Sequence, residues 1–182
     1  MKTLIVHPKD TTTIFLEKIY KTIPDKKIVD GGYSKTELLE QMEKYDRIMM
    51  MGHGSPMGLF NMGLFKESGG YIIDDKFVPL LSNKNNSVFI WCNADKFVEK
   101  YKLKGFYSGM FISEVTEAYI CGVRNVDQKM VDESNYGFSE ILSEVINENH
   151  QVTYNHVMSK YGEIAKNNVV ALYNFNRLYL SE

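Results

Sequence analysis

The sequence predicts an α/β domain on a mostly parallel sheet sandwiched by helices. Two observations lead there. Short, continuously apolar runs, Ile48-Met49-Met50-Met51 and Val88-Phe89-Ile90-Trp91, have the character of strands covered on both faces. Segments of helical periodicity alternate with such runs, and repeated strand–helix units imply parallel pairing with helices on both sides. A length of 182 residues suits one such domain and is short for two, so residues 1–182 read as a single unit.

Along the chain, Thr3 to His7 reads as a short buried strand. Thr11 to Thr22 follows as a helix, with Phe15, Ile19 and Ile23 on one face and Thr11 or Thr12 as its cap. Lys27 to Asp30 is a short strand. Ser34 and Glu37 form a capping box for a helix whose face carries Leu38, Met42 and Tyr45. Arg47 to Met51 is a strand covered on both faces, and the glycine-rich stretch from Gly52 to Gly70 is a loop or small hairpin. Asp75 to Ser82 is a short helix bent or shortened by Pro79. Ser87 to Trp91 is the second fully apolar strand, followed by a helix from Ala94 to Tyr101. Phe106 to Ile112 reads as a strand and the segment up to Cys121 as a helix. The broad stripe of Phe138, Ile141, Leu142, Val145 and Ile146 marks a helix over Asn135 to Glu148. Another helix is expected over Thr153 to Tyr161, and Val169 to Leu180 fits either an edge strand or a helix.

Composition excludes several functional classes. Hydrophobic residues make up 44% and charged residues 24%, an ordinary globular balance that rules out a disordered or collagen-like chain. The net charge of −2 leaves no basic footprint for nucleic acid. No apolar run approaches the roughly 20 residues of a membrane span, and the first residues lack signal-peptide anatomy. The two cysteines, Cys92 and Cys121, are too few for a disulfide framework. The expectation is a cytoplasmic protein with reduced thiols, with neither nucleic acid nor membrane as a partner. The scattered histidines and cysteines do not suit a zinc site.

In such folds chemistry gathers at the carboxyl edge of the strands. There the strand ending in Met51 runs into Gly52-His53-Gly54, and the strand ending in Trp91 runs into Cys92-Asn93-Ala94-Asp95. If the strands are neighbours, a spacing of about 4.8 Å brings imidazole and thiol within reach of one another. A thiol and an imidazole so placed make a nucleophile and its proton-transfer partner. The N–H groups of Gly54 and Cys92 are candidate oxyanion donors.

Met49-Met50-Met51-Gly52-His53-Gly54, followed about 40 residues later by Val88-Phe89-Ile90-Trp91-Cys92-Asn93-Ala94, resembles the caspase-like cysteine peptidases. These include caspases, metacaspases, gingipains, separases and CHAT-type domains. The resemblance implies a caspase-like fold, a peptide or protein substrate, and no metal or organic cofactor. It assigns the nucleophile to Cys92, proton transfer or carbonyl polarisation to His53, and oxyanion binding to Gly54 and Cys92. It puts the pocket for the residue before the scissile bond near the ends of the first strand, the Cys strand and the next one. The acidic residues there, Asp10, Asp95 and Glu114, would favour Lys or Arg. Trp91 departs from the Ala common in the family before the Cys, and strand alternation allows it to fill the core. Two other readings remain open at this level: a caspase-like or flavodoxin-like binding or signalling domain without turnover, and a hydrolase of small amides or esters. Oligomeric state is open too.

Overall fold

The computed structural model describes residues 1–66 and 69–182. The chain begins with β1 (Thr3–Val6), whose four residues are all buried. A 3₁₀ turn at Ile14–Leu16 leads into the single turn of α1 (Glu17–Tyr20). β2 (Lys26–Val29) and α2 (Lys35–Met42) follow, and the expected capping box is formed: Ser34 Oγ accepts from the Glu37 N–H while Glu37 accepts from the Ser34 N–H. β3 (Arg47–Met51) is buried throughout. The glycine-rich stretch holds β4 (Gly54–Ser55) and β5 (Gly58–Phe60), and β6 (Tyr71–Ile73) completes an antiparallel three-stranded sheet. Within that stretch, Glu67 and Ser68 lie outside the described residues. A 3₁₀ turn and α3 (Val78–Leu81) precede β7 (Ser87–Ile90), α4 (Ala94–Tyr101) and β8 (Gly105–Ser108). The chain closes with α5 (Val115–Ile120), α6 (Gln128–Val145), α7 (His150–Ala165), α8 (Val169–Phe175) and β9 (Leu178–Ser181).

The main sheet has six strands in the order β2-β1-β3-β7-β8-β9. All pairs are parallel except β8 with β9. Alternation along each central strand sorts side chains to two layers. Met49, Met51, Val88 and Ile90 pack with α1, α6, α7 and α8 on one face. Ile48, Met50, Phe89 and Trp91 pack with α2, α3 and α4 on the other. Both layers are closed by helices, which is why the central strands carry no polar alternation.

Three expectations need correction. The helix over Thr11 to Thr22 shrinks to Ile14 to Tyr20, because Thr12 and Thr13 turn back onto Asp10: both backbone N–H groups bond its Oδ1, at 2.9 and 3.1 Å. Neither Thr11 nor Thr12 caps the helix; the residue before it is Thr13, which makes no side-chain cap. The strand over Phe106 to Ile112 stops at Ser108, since beyond it Ile112 pairs with the Asn174 side chain instead of a neighbouring strand. The ambiguous tail is both helix and edge strand, and β6 went unpredicted because only three residues form it.

Candidate functional site

β3 and β7 are adjacent and parallel, with Met49 opposite Val88 and Met51 opposite Ile90. The pairing continues past the strand ends, since the Gly52 N–H donates to the Ile90 carbonyl at 3.0 Å. His53 and Cys92 each stand two residues beyond the last paired positions of β3 and β7. Met49, Met51, Val88 and Ile90 belong to one face of the sheet, and Ile90, Phe15 and Phe111 of that layer line the cleft the two residues share. His53 and Cys92 line one small cleft, together with Thr13, Phe15, Phe111 and Ser113. Its volume of about 20 Å³ is room for about one water.

Cys92 sits in a tight elbow between β7 and α4. Asn93 takes a left-handed conformation at φ 65°, a state asparagine adopts more readily than most residues, and the Ala94 N–H closes the turn on the Trp91 carbonyl at 3.1 Å. The Ser108 hydroxyl donates to the same carbonyl at 3.1 Å, fixing the elbow to β8. The Cys92 thiol donates to the Phe111 carbonyl at 3.4 Å. Burial, followed by the charge of Glu117, pushes this thiol up to about 12. The resting group is therefore a neutral thiol.

His53 is held from the β1 side. Its Nε2 lies 3.1 Å from Asp10 Oδ2 and 2.8 Å from Thr12 Oγ1. Burial works against the charge of Asp10, yet the Thr12 hydroxyl, His53 and the N–H groups of Thr12 and Thr13 outweigh it and hold the carboxyl below its ordinary value. His7, behind this turn, is fully buried, with Nδ1 at 3.0 Å from the Tyr20 hydroxyl and Nε2 at 3.4 Å from Thr13 Oγ1. It is a packing residue.

Gly54 opens the small antiparallel sheet, pairing with Leu59, and faces the Trp91 indole. A Cβ at Gly54 would fall 2.3 Å from Trp91 Cδ1 and 2.6 Å from the Gly58 carbonyl, so only glycine fits. Trp91 is 1% exposed, packs against Phe89 and Phe97, and donates its Nε1–H to the Ser55 carbonyl at 3.0 Å. It fills the core and ties down the arm that carries His53.

The three acidic residues expected to receive a basic side chain are placed otherwise. Asp10 is committed to His53, Thr12 and Thr13. Asp95 is buried on α4, ion-paired with Lys96 at 3.2 Å, and does not line the cleft. Glu114 stands at the amino end of α5, makes no cap and is also outside the cleft lining. The reason is common to all three: a sequence position near a strand end does not fix the side of the turn to which a side chain points. The acid that reaches this region is Glu117, which accepts from the Ser113 N–H at 2.7 Å and from its hydroxyl at 2.9 Å. Glu117 and Thr12 were legible only as a first-turn acid and a helix cap, so their part in the site was missed.

Among the described residues, no group of three or more His, Cys, Asp or Glu is placed to hold a metal ion, and no helix is long and apolar enough to cross a membrane. These features define an α/β protein with a thiol and an imidazole just past the ends of two adjacent parallel strands. Comparison of the chain with protein-family models, with curated proteins and with solved structures finds no match in any of the three.

Proposed function

We propose that the chain is a caspase-like cysteine hydrolase that cleaves peptide bonds. The observation that carries this reading is the shared cleft of His53 and Cys92 just past the ends of two neighbouring parallel strands. The Cys92 sulfur attacks the scissile carbonyl carbon as its proton passes to His53. The tetrahedral oxyanion is held by the N–H groups of Cys92 and Gly54, the roles the caspase-like resemblance implies. His53 then protonates the leaving amine as the C–N bond breaks. Water hydrolyses the thioester and restores the thiol. Selectivity for Lys or Arg draws support from Glu117, which is bonded to Ser113 of the cleft lining and whose charge raises the Cys92 thiol, although it does not itself line the cleft.

One observation favours a second reading, a binding domain of the same fold without turnover. The sulfur is bonded to the Phe111 carbonyl inside a cleft of about 20 Å³. The two readings separate in one experiment. The protein is incubated with fluorogenic peptides carrying Lys, Arg or Asp before the reporter, alongside Cys92→Ala. Turnover of the Lys and Arg peptides that Cys92→Ala abolishes is the expected result. No turnover, with iodoacetamide alkylating Cys92 and Cys121 equally slowly, selects the binding domain. Preference for Asp refutes the acidic selectivity and leaves the dyad standing.

A further inference from the structure

The hydrogen bonds around His53 determine which ring nitrogen carries the proton. Thr12 has a single hydroxyl proton, and Asp10 Oδ1, at 2.9 Å, takes it. The Thr12 oxygen, 2.8 Å from His53 Nε2, can then only accept. Asp10 Oδ2, at 3.1 Å from the same nitrogen, is a carboxylate oxygen and also accepts. With Nε2 bare, Thr12 can turn its proton to the ring, but Asp10 Oδ2 at 3.1 Å would still set a lone pair against the bare nitrogen. The network is therefore satisfied only with the proton on Nε2, shared between Asp10 and Thr12. In the neutral ring this leaves Nδ1 bare, and among the described residues nothing is hydrogen-bonded to it.

We infer that Asp10, seconded by Thr12, is a positioning residue that holds the His53 proton on Nε2 and so presents Nδ1 to the Cys92 thiol as the base. This rests on the hydrolase reading and adds a third member to its dyad. When the Cys92 proton moves to Nδ1, the ring becomes a cation with the Asp10 carboxylate already at hydrogen-bonding distance. The thiolate–imidazolium pair thus forms beside a fixed counter-charge. Thr12 and Thr13 hold that carboxylate still through their bonds to Oδ1. The Asp10 charge is spent on the ring and not on a substrate side chain.

The test uses two readouts on the full chain: the ¹⁵N signature of the His53 ring, which reports its tautomer, and the rate of Cys92 alkylation by iodoacetamide. In that reaction the Cys92 sulfur displaces iodide and the thiol proton leaves through His53. The unmodified protein should show a protonated Nε2 and a bare Nδ1. Asp10→Ala should mix the tautomers and slow alkylation tenfold or more. Asp10→Asn keeps an accepting oxygen, guards against misfolding, and should retain the tautomer while still losing rate through the missing charge. Unchanged tautomer and rate in Asp10→Ala, with His53→Ala still slowing Cys92, overturns the role of Asp10 and spares the dyad. Cys92 alkylation indifferent to His53→Ala overturns the dyad and the Asp10 role with it.

Discussion

Acidification should destabilise this protein through His7, and the size of the effect follows from its burial. His7 has no exposed surface, and its imidazole is lowered from 6.5 to about 4, chiefly by burial. Glu17, Asp10 and Asp30 pull the other way, and Lys9 adds to the lowering. The unfolded chain takes up the proton near pH 6.5 and the folded chain only near pH 4. Between these values the unfolded state binds more protons, so stability falls as the pH falls. At about 1.4 kcal/mol per pH unit the loss across that window comes to about 3 kcal/mol. That is a large share of a typical total of about 5–15 kcal/mol. Urea unfolding at pH 7 and pH 4 measures it, as a fall in the midpoint of about 1–3 M. The comparison is His7→Gln, which cannot titrate. It should be less stable at pH 7, having lost a packed ring, but should fall less on acidification by that same 3 kcal/mol. His150, lowered by its own burial, contributes equally to both proteins and cancels. Parallel curves for the two proteins between pH 7 and pH 4 would refute the argument. The site shares the consequence, because Thr13 bridges His7 to the Asp10 turn that holds His53.

Two other substitutions probe the scaffold of the site. Gly54→Ala places a methyl 2.3 Å from the Trp91 indole, so the arm must move; Cys92 alkylation should slow about 10- to 100-fold, and an unchanged rate would show that the arm does not set the position of His53. Asn174→Leu strips the Ile112 N–H and carbonyl of their partners at 2.7 and 3.0 Å, costing roughly 2–6 kcal/mol by urea unfolding. It should also speed Cys92 alkylation by loosening the segment whose Phe111 carbonyl binds the sulfur, and a midpoint equal to the parent's would refute both effects.

The elements legible in the sequence were those whose signal is local. The β3 and β7 strands stood out because burial on both faces demands unbroken apolar runs, and α2 because a capping box is written within four residues. The stripe of α6 marked that helix, though its start at Gln128 lay ahead of the periodic residues. The turn from Thr11 to Thr13 reads as helix from sequence because threonines satisfy a cap rule equally well when, as Thr12 and Thr13 do here, they bind an aspartate instead. Strand ends were misjudged where a side chain from a distant helix replaced a neighbouring strand, as Asn174 does for Ile112.

The sequence by itself determined that an imidazole and a thiol end two buried strands, because period and composition are local properties of the chain. Only the tertiary structure decided that those strands are neighbours and that His53 and Cys92 line one cleft past their ends. It also decided that Asp10 binds His53 while Asp95 and Glu114 lie outside the cleft lining, and that the charge of Glu117 acts on the Cys92 thiol. Strand order and the direction of a turn are set by which distant surfaces bury one another, and no window of sequence contains that information.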